Sequence, residues 1–461
     1  MWAPDLHEGD GPIYERIAAA LERDIAAGRL APGARLPTLK ELAAALGVTP
    51  GTINRAYELA QRRGLIDGEV GRGTFVRGAA PIAPPARPVI DADATIDLAI
   101  VKPNLALQEP HVRAAMLELA QSPQLADMLD YTPDGGHPLH REAGAAWMRA
   151  AGLVDARAEQ VLLTAGAQHG LWVAVHALTR PGDLVLCEAL CYPGIAAVVL
   201  ALGRRIRGVA LDGEGMDPAD LRALCENERP ALVICIATCQ NPTTRVMSAG
   251  RRAQVAALAR EFDFTLVDDD LYGFLAPEPQ PPIPPLATFA PERTLYLTSL
   301  SKSVSSTMRL GYLHGPAEWL AKLAASVRTS VWMVSPLAAQ IATTLITSGR
   351  AAAMAAAQRE EARARQLIAR ELLGRFGFDA QPCSFQLWLE LPPHWAGGEQ
   401  FAALARSHRL LLAGGDAFAV NRDGQGHRHV RIALMAGTRE QLRFVLSKLA
   451  GLIETAEASW L

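Results

Sequence analysis

Near the start of the chain apolar residues recur every fourth position, at Ile13, Ile17, Leu21 and Ile25, which sets them on one face of a helix that the pattern ends near Gly28. A second helix is predicted after Leu36-Pro37, where Thr38-Leu39-Lys40-Glu41 has the spacing of a capping box and Leu42, Ala45 and Leu46 are expected to face inward. Gly47 makes the turn, Thr49-Pro50 opens a third helix with threonine as its cap, and Ile53, Ala56, Tyr57 and Ala60 line the buried side. Gly64 closes that helix. Leu65-Ile66, a turn at Asp67-Gly68, Gly71-Arg72-Gly73 and Thr74-Phe75-Val76 then read as a small hairpin. Residues 78–95, rich in proline and alanine, have little to bury and are expected to form an extended connector. Beyond them strand-like runs at Val161–Thr164, Leu184–Cys187, Leu232–Ala237, Phe264–Val267 and Leu295–Leu297 alternate with helical stretches, which predicts a mostly parallel sheet covered by helices. Ala351–Leu373 reads as one long helix, and residues 380–461 as a smaller lobe. The proline cluster Ala276–Pro285 reads as a surface loop.

Half of the 461 residues are hydrophobic, enough for two or more cores. The net charge of -3 excludes a protein that coats nucleic acid or an anionic membrane along its whole length, so any polyanion surface is local. The six cysteines lack a C-x-x-C pair, and the two C-x-x-x-C spacings, Cys187/Cys191 and Cys235/Cys239, have no neighbouring histidine. Buried free thiols in a reducing cytoplasm are expected, with no metal. The first eleven residues carry acids rather than a basic leader, and no apolar run approaches the roughly 20 residues that span a bilayer. A cytoplasmic protein without membrane attachment is the expectation.

Residues 29–77 run against the overall charge: Arg29, Arg35, Lys40, Arg55, Arg62, Arg63, Arg72 and Arg77 face only Glu41, Glu58, Asp67 and Glu69, a local excess of +4. Three helices and a glycine-tipped hairpin make a winged helix-turn-helix. Positive charge on its second and third helices and wing lies where DNA phosphates would meet it. Arg62 and Arg63, at the far end of the third helix, read instead as a solvated face. The run Pro12-Ile13-Tyr14, Gly28-x-Leu30-x-Pro32-Gly33-x-x-Leu36-Pro37, Gly47-Val48-Thr49, Ala56-Tyr57, Gly64-Leu65-Ile66 and Gly71-x-Gly73-Thr74-Phe75-Val76 resembles the GntR-type DNA-binding domain over residues 11–77. The resemblance implies a double-stranded DNA operator as partner and Lys40, Thr49, Thr52, Asn54 and Arg72 as contacts. Pro50 departs from it, since a basic residue commonly follows Gly-Val-Thr.

The later segment carries a different chemistry. Thr298-Ser299-Leu300-Ser301-Lys302 and Arg309-Leu310-Gly311-Tyr312 place hydroxyls and a guanidinium around one lysine at a strand end, a set suited to binding phosphate beside a lysine imine. Alone, a loop lysine is ordinarily a solvated cation. Asp269 and Tyr272, in Asp268-Asp269-Asp270-Leu271-Tyr272, offer a carboxylate for a ring nitrogen and a phenol for a ring oxygen. Three aspartates also suit a strand-end turn. Asn241, in Gln240-Asn241-Pro242, reaches for the same oxygen. Gly166-Ala167-Gln168 joins a strand to a helix whose first amides can take phosphate oxygens, although a glycine there also simply eases the turn. Tyr192 is placed to stack on a ring or to fill the core. All these sites sit at carboxyl ends of strands, where open parallel sheets bind ligands. Together they make pyridoxal 5'-phosphate the expected cofactor and Lys302 its catalytic, covalently bound lysine.

These segments resemble the fold-type I, class I/II aminotransferases from about residue 95 to 450. The implied fold is multidomain: an α+β winged helix-turn-helix, 11–77; a connector, 78–95; and an α/β pyridoxal-phosphate-dependent transferase fold, with a large domain at 96–350 and a long helix plus smaller α/β lobe at 351–461. The resemblance further implies Gly166, Ala167, Gln168, Tyr192, Asn241, Asp269, Tyr272, Ser299, Ser301, Lys302 and Arg309 as cofactor ligands. It has Tyr131 reach the phosphate of a neighbouring subunit and Arg431 clamp a substrate α-carboxylate. A strand arginine bound to a structural acid is the alternative for Arg431. Val101 stands where a glycine is common, Thr244 replaces the glycine of Asn-Pro-x-Gly, and Cys383-Ser384 replaces a frequent Gly-Gly, which bears on substrate identity. The domain order is similar to the MocR-like subfamily of GntR transcription regulators. It implies a homodimeric, DNA-binding regulator that senses an amino acid, an amine or the cofactor. A working aminotransferase with a vestigial or autoregulatory DNA module is the alternative.

Overall fold

A computed structural model describes residues 2–4, 11–26, 29–30, 33–63, 65–69, 73–76, 95–275, 283–421 and 424–455. Arg72, Arg77, residues 78–94 of the expected connector and most of the proline cluster lie outside these. The chain divides into two compact units, residues 1–86 and 87–461.

In the first unit α1 (Ile13–Ala26), α2 (Leu39–Leu46) and α3 (Pro50–Arg62) precede the antiparallel pair β1 (Ile66–Glu69) and β2 (Gly73–Val76). The capping box at Thr38 forms: its backbone N–H donates to Glu41 Oε2 at 2.8 Å and its Oγ1 accepts from Glu41 N–H at 3.3 Å. Gly47 takes the left-handed conformation, φ 66°, that ends α2. Ile17, Leu21, Leu42, Ile53, Ala56, Tyr57 and Ala60 are buried together. Three details differ from the sequence reading. Ile13 lies at the open end of the helical stripe and is 43% exposed. Ala43 rather than Ala45 is buried beside Leu42, because the buried arc of α2 runs through Leu42, Leu46, Leu39 and Ala43, and Ala45 lies on the other side of Leu42 from its centre. Asp67-Gly68 is not a turn but part of β1, opposite Phe75 and Thr74.

The second unit is built on seven strands: β3 (Val161–Thr164), β4 (Leu184–Glu188), β5 (Arg205–Val209), β6 (Pro230–Cys235), β7 (Thr265–Asp269), β8 (Thr294–Ser299) and β9 (Gly311–His314). Their order is β3-β9-β8-β7-β6-β4-β5. All run one way except β9, which is antiparallel to both neighbours. β4 is buried along its whole length because helices cover both faces. Val185 and Cys187 pack toward α4 (Ala167–Leu178), while Leu184 and Leu186 pack on the other face against Leu221, Leu224 and Val255. All six cysteines are free and buried.

A smaller antiparallel sheet holds β10 (Phe378–Asp379), β11 (Gln386–Glu390), β12 (Ala413–Gly414) and β13 (His429–Ala433), in the order β10-β11-β13-β12. Helices α5 (Arg350–Leu373) and α6 (Arg439–Glu454) cover it. Fully buried Arg365 of α5 ties down the chain leaving β13: its guanidinium donates to the carbonyls of Leu434, Ala436 and Gly437 and to Glu361. The entry segment is stitched to the same lobe, since Ile96–Asp97 pairs in parallel with Leu410–Leu411 and Ala433 N–H donates to Leu98 O at 2.8 Å.

Candidate functional site

The carboxyl ends of β3, β4, β6, β7 and β8 share one edge of the sheet, because antiparallel β9 leaves β3 and β8 pointing the same way. Lys302, three residues past β8, donates from Nζ to Val101 O at 2.5 Å. Loss of water around its amine, then the charges of Arg431 and Arg309, lower its pKa to about 8, with Asp269 opposing. Asp269 ends β7 and is buried, and its Oδ1 has no hydrogen-bond partner. Burial, then Asp270, Glu188 and Asp268, push its carboxyl well above the usual range. A protonated ring nitrogen against Oδ1 would supply both the donor and the opposite charge that this carboxylate lacks.

On the phosphate side, Gly166 opens α4 with φ 85° and no side-chain cap, so the amides of Ala167 and Gln168 are unclaimed by a capping group. A Cβ on Gly166 would lie 2.6 Å from Arg309 Nη2, so the missing side chain is what lets the guanidinium lie there. Ser299 Oγ accepts from Ser301 N–H at 3.2 Å, while Ser301 Oγ is buried without a partner. An orphaned hydroxyl, a guanidinium and a helix start fit a phosphate. Gly166→Ala is expected to weaken pyridoxal phosphate binding about ten- to a hundredfold, the scale of one charge-assisted hydrogen bond. Fluorescence titration with the cofactor measures it. Unchanged affinity would remove Arg309 from the cradle.

Around the ring position, Tyr272 is buried and Tyr192 half-buried, and the pKa of both is raised, chiefly by burial. Asn241 Oδ1 accepts from Arg431 Nη1 at 2.8 Å, which leaves the Asn241 amide nitrogen to donate to a ring oxygen. Arg431, on β13, also donates from Nη2 to Ala99 O and lies over the Phe418 ring at 4.7 Å. No structural acid pairs with it among the described residues. The Gln168 side chain is held at Gly194 near Tyr192, with Nε2 donating to Gly194 O at 3.1 Å. Tyr131 is 76% exposed and meets Trp332 edge-on at 6.2 Å, outside this cluster.

Two features were missed in the sequence. Glu188, at the end of β4, is fully buried, accepts from Ile236 N–H at 2.8 Å through Oε1 and leaves Oε2 unpartnered. An acid ending an all-apolar strand was the available signal. His169, Trp172 and His176 stack along one face of α4, and the spacing H-x-x-W-x-x-x-H announces it. His169 Nδ1 accepts the Ala165 N–H at 2.9 Å, so Nε2 carries the proton toward Ser330 Oγ at 2.8 Å. Burial lowers the pKa of His169 to about 4, keeping it neutral beside the phosphate end of α4.

The burial of Glu188 gives a pH dependence. Its carboxyl rises from 4.5 to about 7, with desolvation outweighing the Ile236 N–H. A raised carboxyl keeps its proton longer in the folded than in the unfolded chain. Its stabilisation is therefore full below the unfolded value and lost as pH rises through 7. Relative to Glu188→Gln, the cofactor-free protein should lose roughly 2 kcal/mol of stability between pH 5 and 8. Denaturation midpoints of both proteins at the two pH values check this, and a constant difference between them would contradict it.

In the first unit Lys40 is exposed on α2. Thr49 caps α3 and shares a hydrogen bond with Thr52, Oγ1 to Oγ1, at 3.0 Å. Asn54 Nδ2 donates to Glu58 Oε1 at 2.8 Å. These four lie on α2 and the start of α3, whereas Arg72 lies outside the described residues.

Residues 95–449 match the model of the aminotransferase class I and II family, and residues 13–76 that of the bacterial regulatory proteins of the gntR family. The chain belongs to the aminotransferase class I and II family and carries a GntR domain ahead of it, the arrangement of the MocR-like transcription regulators. The uncharacterized HTH-type transcriptional regulator YdeF of Bacillus subtilis is 28% identical over 98% of this chain and 97% of its own. The HTH-type transcriptional regulator TauR of Rhodobacter capsulatus is 30% identical over 69% of this chain and 70% of its own. Among solved structures an archaeal alanine:glyoxylate aminotransferase superposes with a TM-score of 0.72 at 25% identity, over 78% of this chain and 91% of its own.

Proposed function

We propose that this protein is a pyridoxal-phosphate-dependent, DNA-binding transcription regulator whose aminotransferase-like unit senses an amino acid or amine. Pyridoxal phosphate supplies an electrophilic carbonyl and an electron-withdrawing ring. The chain's residues then have separate tasks: Lys302 presents the amine, Asp269 the counter-charge, Ser299, Ser301, Arg309 and the start of α4 the phosphate cradle, and Arg431 a carboxylate clamp.

One observation carries the sensing role. The two groups an amino acid would engage, Lys302 and Arg431, hold the carbonyls of Val101 and Ala99. A ligand carboxylate taking Arg431 competes with Ala99 O, and so loosens the segment that begins a few residues after the stretch joining the two units in sequence. An effector shifts DNA binding only as far as it binds the two arrangements differently, and this exchange of partners provides such a difference. Exposed Tyr131 and Trp332, with Met116, Leu117, Leu129 and Leu139, support a homodimer in which Tyr131 serves the neighbouring subunit's cofactor. No helix among the described residues is long and apolar enough to cross a membrane, which accords with a cytoplasmic DNA-binding role.

The test is a gel-shift titration of the full-length, cofactor-loaded protein with DNA from upstream of its own gene, against a panel of amino acids and amines. Binding that one of these ligands changes is the expected result. Absence of DNA binding at low salt would sink the regulator reading. The complete residue set also keeps the enzyme reading chemically open, and sustained turnover of an amino acid with a keto acid would establish it.

A further inference from the structure

We infer that Arg35 is a phosphate-binding residue seated on Gly73 of the wing; this rests on the DNA-binding reading above. Residues 33–36 line up along β2 as a third extended segment. Gly33 N–H donates to Val76 O at 3.0 Å, Val76 N–H to Ala34 O at 2.9 Å and Leu36 N–H to Thr74 O at 2.8 Å, with Arg35 bridging Phe75. Alternation along this segment buries Leu36 and exposes Arg35.

Gly73 makes room for the arginine. Its φ is +118°, and a Cβ there would lie 3.0 Å from Arg35 Nε and 3.6 Å from Cζ. The second glycine of the Gly-x-Gly motif therefore answers to a neighbouring guanidinium as well as to the hairpin. A long cation is held against backbone at the wing, with less side-chain freedom to lose when it binds an anion.

The charge of Arg35 is also unspent. Arg29 pairs with Asp24 at 2.6 Å and Arg63 with Glu22 at 3.0 Å, whereas Arg35 has neither ion pair nor side-chain hydrogen bond among the described residues. Glu41 feels its charge. Glu41 Oε2 is already committed to Thr38 N–H and Oγ1, at 2.8 and 2.9 Å. Arg35 thus offers a bidentate donor on the wing, with Glu41 of α2 within reach of its charge, where a duplex lying against both elements presents phosphate oxygens.

Full-length protein loaded with cofactor provides the test, with duplex from upstream of its gene and an unrelated duplex of equal length, at several salt concentrations. One lost phosphate contact in each subunit of the homodimer should lower the slope of log affinity against log salt by about 1.8 and weaken binding roughly a hundredfold at 0.1 M salt, equally for both duplexes. Arg35→Gln, which keeps most of the side-chain stem, is expected to do this, and Arg35→Lys to retain the slope. A thermal melt of Arg35→Gln matching that of wild type accompanies the expected result. If wild type binds DNA and Arg35→Gln keeps its slope, Arg35 is no phosphate contact and the regulator reading stands. If wild type binds neither duplex at low salt, both fall.

Discussion

Replacing Lys302 by alanine is expected to abolish the visible absorbance that pyridoxal phosphate acquires when this protein binds it. At neutral pH an ordinary lysine is almost wholly protonated and cannot attack a carbonyl. With its pKa lowered to about 8, Lys302 has about a tenth of its amine neutral at pH 7, against about one part in three thousand otherwise. No side-chain packing argument predicts the same loss, because the rest of the cradle, from Asp269 to Arg309, is untouched by the substitution. Spectra of wild type and Lys302→Ala at equal cofactor concentration decide the matter. A band that persists in the variant would assign the amine to a different lysine.

The second large effect is expected at Arg431. Arg431→Ala should leave the cofactor band in place and weaken the spectral response to amino acids by at least about a hundredfold, the scale of removing one member of a desolvated, hydrogen-bonded charge pair. The geometry supports this separation. Arg431 reaches Asn241 and Ala99 and lies over Phe418, while the phosphate cradle is formed by other residues. Arg431→Lys is not a conservative change here, since an ammonium cannot span a carboxylate with two parallel donors. Amines lacking a carboxylate should respond alike in wild type and variant. Unchanged amino-acid titration in Arg431→Ala would return Arg431 to a purely structural part, linking β13 to Asn241.

Several parts of the architecture were legible in linear order. Strands β3, β4, β6, β7 and β8 are short apolar runs because helices cover both their faces, and such runs announce themselves. The two overlooked strands lack that signature. β5 is an edge strand whose Arg205 and Arg207 turn outward to Glu228, so its pattern reads as polar. β9 is four residues long, begins on a glycine and runs against its neighbours, the one antiparallel member of the seven-stranded, mostly parallel sheet. The turn misread at Asp67-Gly68 has the same origin, since a two-residue turn signal carries no information about which residues pair across a hairpin.

Residue chemistry alone determined which groups this protein brings to its site: a lysine among hydroxyls and an arginine, an aspartate three residues before a tyrosine, an asparagine before a proline, and a basic excess over residues 29–77. The tertiary structure decided how those groups stand to one another. It left Asp269 Oδ1 and Ser301 Oγ buried without partners, set the charges of Arg431 and Arg309 near the amine of Lys302, buried Glu188 two strands from Asp269 and laid Arg35 over Gly73. Each of these depends on distance and exclusion of water between residues far apart in sequence, and neither quantity is encoded in the spacing of letters along a chain.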